Sequence, residues 1–249
     1  MIAATAWRAF ALSRGGALVG AYAALLIAWG NAKTVLLEPT ATLPGGSAAL
    51  VLAGAALVAL SLAAARTAGL DTLDLGLRRR ALRGGAIGLL LGIVASVAGV
   101  AALRVLAPLV VGHPIEYAPL GRLSGSELAV HVAVLLPLSV VLPEEIAFRG
   151  ALLGALVRPL GVRAAIVASA CAFALWHGAI VLGTIGQTTL GAASPWTPIA
   201  IVSAIVVVAA GGVIFAWLRL ATGSLVTTIA AHWAFNAIVL VGLWATRAG

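Results

Sequence analysis

Hydrophobic positions along the chain gather into seven long apolar runs, at Gly16–Ala32, Gly46–Ala65, Gly84–Leu103, Leu128–Val157, Ala164–Val181, Thr197–Leu218 and Ser224–Ala245. Six carry no internal charge; the run Leu128–Val157 is the exception. A helix crossing the hydrocarbon core needs ~20 mostly apolar residues. The pattern therefore predicts an all-α fold, a polytopic membrane bundle of about seven transmembrane helices. The runs are rich in Ala and Gly, which lets helix backbones approach closely. No internal repeat or low-complexity linker divides the sequence. One integral membrane domain over 1–249 is expected, with a catalytic core at 128–245.

Composition supports this reading. Of 249 residues 63% are hydrophobic and 9% charged, and the mean hydropathy is +1.16. No room remains for a sizeable soluble domain. The formal charge of +8 is read as a topology signal rather than a nucleic-acid surface, because the cations fall between the apolar runs. One side collects Arg8, Arg14, Arg66, Arg78, Arg79, Arg80, Arg83, Arg158, Arg163 and Arg219, and the other Lys33, Arg104, Arg122 and Arg247. The richer side is expected to be cytoplasmic, with the amino terminus on it. Arg78–Arg80 suits anionic headgroups, so membrane lipids are expected partners and nucleic acid is not. The Ala-rich, Arg-over-Lys composition is associated with high-GC bacteria. A bacterial cytoplasmic membrane is the expected location. The lone Cys171 excludes an intrachain disulfide.

Polar residues inside apolar runs are costly, and they point to chemistry. The fourth run holds Glu144, Glu145 and Arg149. Each costs ~2.5–3.5 kcal/mol at the centre of a membrane helix unless it faces a partner or a wet cavity. Glu145 and Arg149 are four apart and share a face, so this pair is expected to be partly structural. Glu144 points ~100° away and lacks a local cation, making it the first candidate for a general base. Pro137 and Pro143, just before it, free carbonyls and bend the helix. The fifth run pairs Phe173 with His177, and the seventh pairs His232 with Asn236, each at a four-residue spacing. Glu144 lies 14 residues before Arg158, His177 14 after Arg163, and His232 13 after Arg219. At ~1.5 Å per residue all three reach about 20 Å from one boundary. They are expected in one plane. His113, His131 and Glu127 find no comparable partners.

Glu144-Glu145-x-x-x-Arg149-Gly150, Phe173-x-x-x-His177 and His232-x-x-x-Asn236 together resemble the three motifs of the CAAX-protease and bacteriocin-processing family of intramembrane endopeptidases. The resemblance covers about Leu128 to Trp244, and Gly223-Ser224-Leu225 looks like the family's approach to its third motif. It implies peptide hydrolysis in the membrane, on a membrane-associated or lipidated peptide or protein. Glu144 would activate water with help from His177, His232 and Asn236 would stabilise the oxyanion, and Glu145 and Arg149 would orient the first helix. A metal-free site is preferred. A zinc site with His177, His232 and Glu144 as ligands stays open beside it. A site opening toward the cytoplasm is expected. Two other functions fit the same residues: a non-catalytic scaffold or bacteriocin-immunity protein, and a proton or ion transporter, since intramembrane Glu and His also build proton relays. Against the transporter, no broken-helix pair or inverted halves are evident.

Overall fold

The computed structural model describes residues 13–40, 46–77, 81–191 and 193–246. Arg8, Arg78, Arg79, Arg80 and Arg247, which the charge count used, lie outside the described residues. The longer helices are α1 (Arg14–Leu36), α2 (Gly46–Thr67), α3 (Ala81–Val111), α4 (Gly125–Trp176), α5 (Gly178–Gly186), α6 (Thr197–Thr222) and α7 (Leu225–Ala245). Among the described residues no β-strand forms; Tyr117 and Thr188 make an isolated antiparallel bridge. Six helices, α1 to α4, α6 and α7, are long and apolar enough to cross a membrane. The chain is a polytopic helical membrane protein.

The difference between seven expected runs and six helices lies in α4. This 52-residue stretch contains the fourth run and most of the fifth, and it folds back at Gly161, whose φ of 76° and ψ of 165° are outside the helical region. Only glycine adopts such a conformation readily. Phe148 and Trp176 then pack edge to face with centroids 5.5 Å apart, although 28 residues of straight helix would separate them by ~42 Å. Ser169 Oγ also donates to the Phe148 carbonyl at 3.3 Å. The expected straight span Ala164–Val181 is not formed: the second arm of α4 stops at Trp176, and α5 begins after a break at His177.

Close backbone approach holds the bundle. On α3, Gly88 and Gly92 lie against the Thr227 and Ala231 carbonyls of α7, where a Cβ has no room. Such small-residue contacts replace the hydrophobic drive that lipid cannot supply. Gly54 of α2 sits against Pro143, where an added Cβ would come within 2.9 Å of the proline ring. The main core joins Leu26, Leu57, Phe148, Leu152, Phe173, Trp176 and Ala216, so α1, α2, both arms of α4, and α6 share it.

One end of the bundle is tied together by polar contacts. Arg158 pairs with Asp74 at 2.7 Å, Arg219 donates to the Leu73 and Asp74 carbonyls, and the Leu225 amide donates to the Gly76 carbonyl. The Asp71 carboxyl caps this loop, and the backbone N–H of Asp74 holds it below the usual carboxylate range. The three Arg-bearing connections of the predicted cytoplasmic side therefore meet at one end.

Candidate active site

The motif helix is built to bend. Its first arm takes wide, i→i+5 turns over His131–Leu135, Pro137–Val141 and Ile146–Leu152, with an ordinary α-turn at Leu142–Glu145 between the last two. Pro137 and Pro143 lack the amide that would close a normal turn. Wide turns of this kind recur at functional sites. Here they carry Glu144 and Glu145 into the interior, 1% and 0% exposed.

The two carboxylates have separate environments. Glu145 Oε1 accepts from His232 Nδ1 at 2.9 Å and lies 3.1 Å from Arg149 Nη1. The Arg149 guanidinium lies over the Phe173 ring at 4.0 Å from its centroid and faces Phe215 at 5.2 Å. A buried carboxylate is tolerable when a cation and hydrogen bonds share its charge, and Glu145 has both. The pair does more than orient the first helix, because it also fixes an imidazole of α7. Glu144 has no cation so close. Its Oε2 has no hydrogen-bond partner among the described residues and faces His177 Nε2 at 3.8 Å.

Backbone acceptors set the imidazoles. The His177 amide bonds back to Ala174 at 3.1 Å, a tightened last turn, while the Phe173 carbonyl takes His177 Nδ1 at 2.8 Å. A carbonyl only accepts, so Nδ1 carries the proton and Nε2 is turned toward Glu144. In His232, Nδ1–H is used by Glu145, which leaves Nε2 as its free edge. The Phe173 ring lies beside both imidazoles, 4.4 Å from His177 and 6.3 Å from His232 by centroids. Asn236, one turn beyond His232, lines an apolar cavity of about 830 Å³. Its other walls come from α3 (Leu103, Ala107), α5 (Ile180, Thr184) and α6 (Ile199, Ser203). Every part of that wall lies toward the end opposite the Arg-bearing connections.

A three-ligand zinc centre needs donors converging on one point at ~2 Å each. Among the described residues no three His, Cys, Asp or Glu side chains are so grouped. The residues present do not fit zinc held by His177, His232 and Glu144. His113 and Glu127 lie apart from the site: His113 bonds the Pro114 carbonyl, and Glu127 closes a capping box with Ser124.

Residues 126–238 match the family model described as "Type II CAAX prenyl endopeptidase Rce1-like". The similarity covers 113 of the 249 residues. The segment opens inside α4 and closes inside α7, so it contains Glu144, Glu145, Arg149, His177, His232 and Asn236 and none of α1 to α3. Comparison with curated proteins and with solved structures gave no match. Sequence reasoning overlooked two features around these residues. The first is the aromatic enclosure of Arg149, which no local spacing reveals. The second is Asn31 of α1, whose signal was a carboxamide inside an otherwise apolar run.

Proposed function

We propose that the protein is an intramembrane endopeptidase that cleaves a membrane-associated or lipidated peptide with water activated by Glu144. The observation that carries this reading is the division of labour between adjacent buried carboxylates. Glu145 Oε1 meets Arg149 at 3.1 Å and His232 at 2.9 Å, while Glu144 has no arginine at ion-pair distance and its Oε2 faces His177 at 3.8 Å. Glu144 takes a proton from water as the oxygen bonds to the scissile carbonyl carbon. Charge develops on the carbonyl oxygen, where the Asn236 carboxamide and His232 Nε2–H donate to it. His232 donates from Nε2 only as the imidazolium, with Nδ1–H held on the Glu145 carboxylate. When the C–N bond breaks, the proton on Glu144 passes to the leaving amine with His177 Nε2 within reach. The 830 Å³ apolar cavity beside Asn236 suits an apolar or lipidated segment next to the cleaved bond.

The test uses purified protein in detergent and an internally quenched peptide ending in a prenylated CAAX sequence, alongside its unprenylated counterpart. Glu144→Gln should lower kcat ~10²–10⁴-fold, the usual contribution of a general base, with thermal stability retained. Activity of the parent protein should survive a zinc chelator. Full cleavage by folded Glu144→Gln would overturn the reading, and so would cleavage of neither peptide by the parent protein.

A further inference from the structure

A helix break inside a membrane strands backbone donors and acceptors where no water can satisfy them. The break at His177 is served by a residue from outside the Rce1-like segment. His177, at φ −86° and ψ 5°, ends the second arm of α4 and is the residue before α5, yet its side chain makes no cap hydrogen bond to that helix. The ring is turned back on the Phe173 carbonyl instead. The missing cap oxygen comes from α1: Asn31 Oδ1 accepts from the Ala179 amide at 2.7 Å. The same carboxamide donates through Nδ2 to the Leu175 carbonyl at 3.0 Å and to the Ile27 carbonyl of its own helix at 2.8 Å. Two glycines make room. A Cβ on Gly178 would come within 3.1 Å of Asn31 Oδ1, and Gly30 lies flat against the Trp176 indole.

We infer that Asn31 is a positioning residue for His177, gripping the backbone two residues before and two residues after it. The chain of cause is short. The clamp holds the tightened turn, the tightened turn leaves the Phe173 carbonyl free of its ordinary amide, and that carbonyl fixes the proton of His177 on Nδ1. Nε2 is thereby aimed at Glu144. An N-cap oxygen is ordinarily local to its helix; supplying it from α1 lets His177 occupy the cap position and still point its ring into the site. The inference rests on the proposal that His177 works with Glu144, and it makes α1 part of the catalytic unit.

Histidine-labelled protein in detergent tests this by ¹⁵N NMR, with His177→Gln assigning the resonance. In the parent protein His177 should appear as one locked Nδ1–H tautomer. Asn31→Ala should convert it to exchanging tautomers while His232 keeps its signal. Gly178→Ala, which crowds Asn31 without removing it, should shift His177 in the same direction and serves if Asn31→Ala does not fold. With the quenched prenylated peptide, Asn31→Ala should lower kcat ~10–100-fold, as expected for a misplaced catalytic group, with KM within twofold. A folded Asn31→Ala or Gly178→Ala protein whose His177 signal matches the parent would overturn the inference. If the parent cleaves no peptide, the proposed hydrolysis fails, and the tautomer measurement still decides the role of Asn31.

Discussion

Glu144 and Glu145 are neighbours in sequence with different surroundings, and the guanidinium of Arg149 pairs with Glu145. It is buried, 1% exposed, against Glu145 and the faces of Phe173 and Phe215. Removing one partner of a buried ion pair strands the other, which costs ~3–5 kcal/mol. Arg149→Met should therefore lower the thermal midpoint sharply, while Glu144→Gln should leave it nearly unchanged. Scanning both variants in the same detergent checks this, and equal losses would contradict the assignment of separate roles. Arg149→Lys should not rescue fully, because an ammonium lacks the flat face that stacks on Phe173. The sequence marked these residues by their expense in an apolar run. It could not show that Glu145 also holds His232, since that bond spans 87 positions.

The helices deliver these side chains only if they pack at backbone distance. α7 carries His232 and Asn236, and its register is set by Gly88 and Gly92 of α3 pressed on the Thr227 and Ala231 carbonyls. Ala231 is the residue before His232. Gly92→Leu should push α7 away and cost ~1–3 kcal/mol, as overpacking does, with loss of peptide cleavage exceeding that of a lipid-facing control such as Leu90→Ala. A variant with unchanged midpoint and unchanged cleavage would mean the contact is not needed. Glycine enrichment was legible in the sequence, and so were Pro137 and Pro143. The wide turns that follow from those prolines were legible only as a bend. The reversal at Gly161 was hidden, because periodicity records apolar faces and is blind to one residue with positive φ.

At the scale of the whole protein, the cavity and the Arg-bearing connections occupy opposite ends. The positive-inside tendency assigns the Arg158, Arg163 and Arg219 end to the cytoplasm, so the cavity wall at Tyr117 and Thr188 should face the other compartment. In a Cys171→Ala background, Thr188→Cys should react with an impermeant maleimide added to intact cells, and Asp71→Cys should not. The opposite pattern would invert the topology. Ala200→Trp, which puts an indole into the cavity wall, should raise KM for the prenylated peptide several-fold and leave the midpoint within a degree or two. Equal KM values would remove the cavity from the substrate path.

From composition and pattern alone came the membrane, the helical class, the charge asymmetry and the residues too costly to be idle. These are local or summed properties, since apolar length, net charge and four-residue spacing need no knowledge of what touches what. Tertiary structure alone decided which carboxylate is paired, which ring nitrogen is free, and that a carboxamide from the first helix holds the break at His177. Each of these depends on contacts between distant segments, and a burial environment exists only once the helices that create it have met.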